Sequence, residues 1–250
     1  MGRTFALSDL HGQWELWQQI KQFLNQDDKL YFLGDAIDRG PRGYDIMKEL
    51  LLDNRVTYIM GNHEYMMMNA LREMKRNGDI FAGEDCQVWS WNGCYPTLEA
   101  WQDNGMMYDW IHVINEMPTE ATYINTEERE ICLCHAGFTP GAKPPWKEDM
   151  VWDRNHIPCQ IPEEWADGSF IVVHGHTPTP HLMMQLDELN RVASWSDKGR
   201  KWDYQEKNGV VVYADGTKVD IDCGCFATGH TVLLDLDTWE SYPFDADIEE

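Results

Sequence analysis

Basic residues are scarce in this chain of 250 residues: 20 Lys and Arg stand against 43 Asp and Glu, a formal charge of −23. A nucleic-acid binder needs a cationic footprint to displace counterions from phosphates, and no Lys/Arg stripe runs through the sequence. DNA, RNA and anionic membrane surfaces are therefore disfavoured as partners. Long apolar runs are missing as well. No stretch approaches the length of a membrane span, and the N-terminus lacks the basic n-region and apolar h-region of a secretory signal. Paired cysteine spacing is absent too: the seven cysteines form no CxxC pair and no disulfide framework. Cys132 and Cys134 alternate within an expected strand and read as small buried hydrophobes, as do Cys223 and Cys225. Together these absences predict a protein of a reducing cytoplasm. The acidity reads as a solubilising surface, with the consequence that an anionic substrate binds only where cations or arginines reverse the local field.

What the chain does have is enough apolar material for a core. Hydrophobic residues make up 43% and charged residues 25%, so neither a metal nor a disulfide is needed for folding alone. Five short apolar runs each lead into a polar residue suited to binding a metal. Thr4–Leu7 leads to Asp9 and His11, Leu30–Leu33 to Asp35, and Val56–Met60 to Asn62 and His63. Ile131–Cys134 leads to His135, and Phe170–Val173 to His174 and His176. Such runs, rich in β-branched and aromatic residues, predict buried strands. Between the first three lie stretches with helical spacing: Trp14, Trp17, Ile20, Phe23 and Leu24, then Ile46, Met47, Leu50 and Leu51. Strands alternating with helices imply right-handed crossovers and a sheet with parallel character. Ligands then belong at the carboxyl ends of the strands, where all five clusters sit.

The expectation is one α/β domain over residues 1–250, a sandwich with a helical lid at about 66–105 and a polar flap at about 178–208. Met66, Met67, Met68, Trp89, Trp91 and Trp101 read as the core of the lid rather than as a substrate shelf. The 178–208 segment is poor in apolar periodicity. Val210–Tyr213, Asp215-Gly216, Val219 and Ile221 read as a hairpin, and Val232–Leu234 as a closing strand.

Each polar cluster alone is weak evidence, but the ordered set is not. It comprises Ser8-Asp9-Leu10-His11-Gly12, Gly34-Asp35-Ala36-Ile37-Asp38-Arg39-Gly40, Gly61-Asn62-His63-Glu64, His135-Ala136-Gly137 and Gly175-His176-Thr177-Pro178. This set resembles the phosphoprotein phosphatase family of calcineurin-like metallophosphoesterases in its bacterial and lambda-phage form, whose signature is GDxHG, GDxxDRG, GNHE and two later histidines. A weaker echo falls at Ile221-Asp222-Cys223-Gly224. Ser8 replaces the usual glycine, which affects local turn geometry.

The resemblance implies a mixed β-sandwich flanked by helices and two metal ions. Mixed carboxylate, amide and imidazole ligands suit Mn²⁺, Fe and Zn²⁺. By resemblance one ion is held by Asp9, His11 and Asp35, and the other by Asp35, Asn62, His135 and His176, so that Asp35 bridges and a shared water becomes hydroxide for in-line attack. Arg39 is the first candidate to clamp phosphoryl oxygens, and Arg154 the second, because the phage form carries a similar Trp-Asn-Arg. His63, paired with Asp38, is the expected general acid, with a third metal ligand as its alternative role. Strand alternation points His174 and His176 the same way. The Gly-His-Thr-Pro match favours His176 and leaves His174 as support. His112, His156, His181 and His230 read as surface or packing residues.

The activity implied is phosphomonoester hydrolysis on phosphoserine or phosphothreonine of proteins, with phosphotyrosine and small aryl phosphates as further substrates. Hydrolysis of symmetrical dinucleoside tetraphosphates is the alternative, because those enzymes share the motifs. A metal-dependent binding protein is the distant third, disfavoured by intact Arg39, His63 and Asp38.

Overall fold

The computed structural model describes residues 2–78, 83–102, 107–138, 147–159, 168–193 and 202–246. Parts of the expected lid (79–82 and 103–105) and flap (194–201) lie outside the described residues. In chain order the elements are β1 (Thr4–Leu7), α1 (Trp14–Phe23), β2 (Lys29–Phe32), α2 (Gly43–Leu52), β3 (Val56–Tyr58), α3 (Asn62–Asn77), α4 (Glu84–Trp91), α5 (Tyr95–Gln102) and α6 (Trp110–Asn115). They continue with β4 (Glu120–Ile124), β5 (Glu130–Cys134), α7 (Lys147–Trp152), β6 (Phe170–His174), α8 (Thr179–Ala193) and β7 (Tyr204–Lys207). The last are β8 (Val210–Tyr213), β9 (Lys218–Asp220), α9 (Cys225–Thr228), β10 (His230–Asp235) and β11 (Ser241–Asp245).

The strands form two mixed sheets, with orders β11-β10-β1-β2-β3 and β4-β5-β6-β9-β8-β7. β1, β2 and β3 run parallel, as do β5, β6 and β9. Side-chain alternation assigns each face. Ala6, Leu33, Ile131, Leu133, Ile171, Val173, Val219, Val232 and Leu234 fill the layer between the sheets. Phe5, Leu7, Leu30 and Phe32, one residue out of phase, face α1, α2 and α3 instead. Cys132 and Cys134 point away from the sandwich interior and pack with Val172, Phe138 and Met150. The result is the predicted α/β sandwich flanked by helices. No disulfide joins any of the seven cysteines, and among the described residues no helix is long and apolar enough to cross a membrane.

Met66, Met67, Met68, Trp89 and Trp101 are buried in the helix-side core, as expected. Trp91 is not: it is 79% exposed at the end of α4. The segment expected to be a polar flap differs more. Residues 179–193 form α8, which buries Leu182 and Leu186 against Val211 and Tyr213 of β8. Pro180 is tolerated because it falls in the first turn, where its missing N–H has no helical acceptor. Leu186→Ala is expected to cost about 2–5 kcal/mol in urea unfolding, and Met184→Ala, on the exposed face of α8, close to nothing.

Candidate metal centre

The loops that leave the parallel strands extend the ladder beyond the regular sheet. Leu33 N–H donates to Leu7 at 2.8 Å, Asp9 N–H to Gly34 at 3.0 Å, His11 N–H to Asp35 at 2.9 Å, and Gly175 N–H to the His135 carbonyl at 2.8 Å. The strand tips thus stay in register while their backbones turn toward one another. That turn has a conformational cost. Asp9, His11, Asp35, Asp38, Arg39 and His176 all have φ between 42° and 68°, a region that L-residues avoid except where surrounding structure enforces it. Two glycines make room. A Cβ on Gly34 would lie 2.5 Å from the Gly61 backbone, and one on Gly61 would lie 2.2 Å from Asp35 Oδ1.

Asp35 is the hub. Its Oδ2 lies 3.6 Å from His11 Nε2 and 3.8 Å from His63 Nε2, and its Oδ1 lies 3.6 Å from His135 Nε2. Two compact donor groups, His11–Asp35–His63 and Asp9–Asp35–His135, share it. Asn62 Oδ1 sits 2.9 Å from both His135 Nε2 and His176 Nδ1. The His11 and His135 tautomers follow from their other nitrogens: Nδ1 of His11 donates to the Ile37 carbonyl at 3.0 Å, and Nδ1 of His135 to that of Leu33 at 2.6 Å. This leaves each Nε2 lone pair turned inward. His174 is different. Its Nε2 pairs with Tyr213 Oη at 2.8 Å and its Nδ1 lies 3.0 Å from the Gly175 carbonyl, so both nitrogens are engaged outside the cluster.

Electrostatics favour cation binding. Burial, then His63 and Arg39, holds His11 well below the usual imidazole range, and burial, His135 and Arg154 do the same for His176. Neutral imidazoles are what a metal requires. Burial together with Asp9 and Glu64 pushes Asp35 well above the carboxylate range, and a cation would reverse that. The buried Nε2 of His176 has no partner among the described residues. The donor set fits two ions of the Mn²⁺, Fe or Zn²⁺ kind.

The acid and clamp candidates lie at the same place. His63 Nδ1 is 2.7 Å from Asp38 Oδ2. Arg39 reaches between the two imidazoles, with Nη1 2.8 Å from His11 Nε2 and Nη2 3.0 Å from His63 Nε2. Arg154 donates from Nε to Thr177 Oγ1 and from Nη2 to the His176 carbonyl, each at 3.2 Å. Asp9, His11, Asp35, Asn62, His176 and both arginines line one cavity of about 220 Å³, with Trp152, Pro178, Asp222 and Phe226 on its walls.

Several residues that support the site have no role assigned in the sequence reading. Trp89 Nε1 donates to Asp38 Oδ2 at 2.7 Å and Thr97 Oγ1 to Asp38 Oδ1 at 2.6 Å, and Arg39 N–H donates to the Gly93 carbonyl at 2.9 Å. The lid segment therefore holds Asp38 and Arg39 directly. Burial lifts Asp38 to about 7 against the opposing hydrogen bonds from Thr97 and Trp89. The one available hint was that a fully buried Trp N–H needs an acceptor. Glu64, fully buried, accepts from the N–H groups of Asp35, Ala36 and Gly61 and from Tyr58 Oη, at 2.7 to 3.0 Å. It joins the second motif to the third.

A buried two-cation donor set at the carboxyl ends of parallel strands, flanked by arginines, defines a metallophosphoesterase. A family model for calcineurin-like phosphoesterases matches residues 2–231, and the chain belongs to that family. The symmetrical bis(5'-nucleosyl)-tetraphosphatase of Salmonella paratyphi C is 26% identical over 142 residues, which cover 55% of this chain and 44% of that protein. The chain thus matches less than half the length of this curated relative. The fold is shared with a metallophosphoesterase from Sphaerobacter thermophilus (TM-score 0.55, 11% identity, 98% of this chain and 88% of that one). It is also shared with a protein serine/threonine phosphatase from Saccharomyces cerevisiae (TM-score 0.51, 13% identity, 98% and 80%).

Two tests follow from the crowding and the backbone. Gly61→Ala should fold yet bind Mn²⁺ about 10–100-fold more weakly by calorimetry, the usual cost of disturbing a ligand's support. Arg39→Gly should be more stable than Arg39→Ala by about 1–2 kcal/mol, because only glycine is at ease at φ 64°; equal stabilities would show that the backbone there is not strained.

Proposed function

We propose that the chain is a single-domain hydrolase of phosphate monoesters, with serine and threonine phosphates of proteins as its main substrates. Asp9, His11 and Asp35 would hold one cation and Asp35, Asn62, His135 and His176 the other. When bound, the ions supply Lewis-acid charge and lower the pKa of water in the site. The residues of the chain do the rest. Arg39 and Arg154 approach the cavity from opposite motifs and offer planar donors to the phosphoryl oxygens, where negative charge develops. Arg39 leaves its present contacts with the Nε2 atoms of both His11 and His63 to do so, since the first lone pair is the metal donor and the second nitrogen, now facing the guanidinium, has to carry the acid's proton. His63 delivers a proton from Nε2 to the departing oxygen, and Asp38 fixes the ring through Nδ1.

The observation that carries the monoester reading is this proton path: His63 tied at 2.7 Å to an Asp38 that is itself held by Trp89 and Thr97. An alkoxide leaves slowly unless protonated, whereas a nucleotide leaving an anhydride needs no acid. A second reading, hydrolysis of symmetrical dinucleoside tetraphosphates, is favoured by the curated relative and by Trp152 and Phe226 on the cavity wall, which offer apolar faces to a base. Seven cysteines without a disulfide suit a reducing cytoplasm.

Chelator should abolish activity and Mn²⁺ restore it. Asp35→Ala should take bound metal from two ions to none in elemental analysis. His63→Asn should keep both ions and lose about 10²–10⁴-fold on alkyl phosphates, with far less lost on p-nitrophenyl phosphate; equal losses would remove the acid from the mechanism. Turnover of phosphoserine peptides against diadenosine tetraphosphate separates the two readings, and activity on the nucleotide alone would replace the first by the second.

A further inference from the structure

Behind the cavity lies a lysine that the chemistry above does not use. Lys218, the first residue of β9, is fully buried. An ammonium without solvent contact is costly unless something answers it, so packing alone does not explain it. It pairs in register with Val172 of β6 and reaches across to the turn that follows α7. Its Nζ donates to the carbonyl of His156, sits 3.4 Å from Nδ1 of the same residue, and lies 5.7 Å from the centre of the Tyr213 ring.

The turn it touches carries Arg154. Ile157 N–H donates to the Arg154 carbonyl at 3.3 Å, Cys159 N–H to that of His156 at 3.1 Å, and Asn155 N–H to Asp153 Oδ1 at 2.8 Å. The His156 ring is wedged against Gly137, where a Cβ would lie 2.5 Å from Cε1, and its centre is 5.0 Å from that of His174. Among the described residues, the turn is thus gripped at His156 from behind and at Arg154 from the front, where the guanidinium meets Thr177 and the His176 carbonyl.

We propose that Lys218 is the positioning residue that latches the 153–159 turn and so holds the Arg154 guanidinium at the cavity wall. Its kinetic consequence rests on Arg154 acting as a phosphate clamp; the latch itself does not. Burial lowers the lysine to about 8 while Cys159, Asp153 and Cys134 act in the opposite sense. The imidazoles of His156 and His174, which face it, are kept neutral chiefly by burial. The side chain therefore remains an ammonium at pH 7 and donates with charge assistance.

The test uses the whole chain with Lys218→Met, which matches the length without the charge, and Lys218→Gln, which keeps a donor and serves if the first variant folds poorly. Hydrogen exchange reads the latch directly. Amides of 153–159 should exchange at least about tenfold faster in the variant, with those of 33–39 and 61–64 unchanged; unchanged exchange at 153–159, or a uniform increase everywhere, overturns the proposal. Kinetics read the coupling. Lys218→Met should lower kcat/KM on p-nitrophenyl phosphate by at least about tenfold, keep two Mn²⁺ bound, and cost nothing further in an Arg154→Ala background. Full additivity of the two losses overturns the positioning role. Should Arg154→Ala alone leave kcat/KM intact, the clamp reading fails, and the exchange result still decides the latch.

Discussion

Everything in this molecule converges on one buried carboxylate. Asp35 has to present its two oxygens in different directions, Oδ2 toward His11 and Oδ1 toward His135, and it does so from a backbone with φ at 62°. A carboxylate in that position would relax if its surroundings allowed. Glu64 prevents it by accepting the N–H of Asp35 and of Ala36 while also capping the first turn of α3 through Gly61 N–H. The N-terminus of α3, which carries Asn62 and His63, is thereby fixed relative to the tip of β2. The sandwich provides the strand tips, and Glu64 binds them into one unit.

Charge explains why so many groups are buried together. Carboxylates and imidazoles withdrawn from water each favour their neutral forms, and the directions at Asp35, His11 and His176 all follow from that. The donors are held toward a common point by the ladder, by Glu64 and by the bonds that His11, His135 and His63 make to Ile37, Leu33 and Asp38. Two divalent ions bound there would turn the same arrangement from a liability into a source of stability. The strongly acidic surface, at −23 overall, leaves Arg39, Arg154 and bound ions to set the local field that a phosphate meets.

Much of this was legible in the chain because strand tips and their ligands are local. An apolar run followed by Asp, Asn or His marks both the element and the donor, and β1, β2, β3, β5 and β6 all appear at the expected places with their polar residues beyond them. The choice between His174 and His176 was not local. His174 ends β6 and His176 lies just beyond it, and Tyr213, 39 residues away, is what engages the first of them. α8 was hidden for another reason: Leu182, Leu186 and Leu189 do recur at helical spacing, but the many polar residues around them made the segment read as poor in apolar periodicity. β4 escaped notice because its alternation is half-exposed and shallow. The support of Asp38 by Trp89 and Thr97 joins residues more than 50 apart in sequence, and no periodicity reports such a contact.

The stretch between β3 and β4 therefore does more than roof the site. It grips Asp38 through a tryptophan and a threonine and Arg39 through a glycine carbonyl, yet none of the expected metal donors beyond Asn62 is drawn from it. Within it, α4, α5 and the turn between them hold Asp38 and Arg39 without supplying a metal donor, so a substitution there would alter how those two side chains are set while leaving the donor set complete.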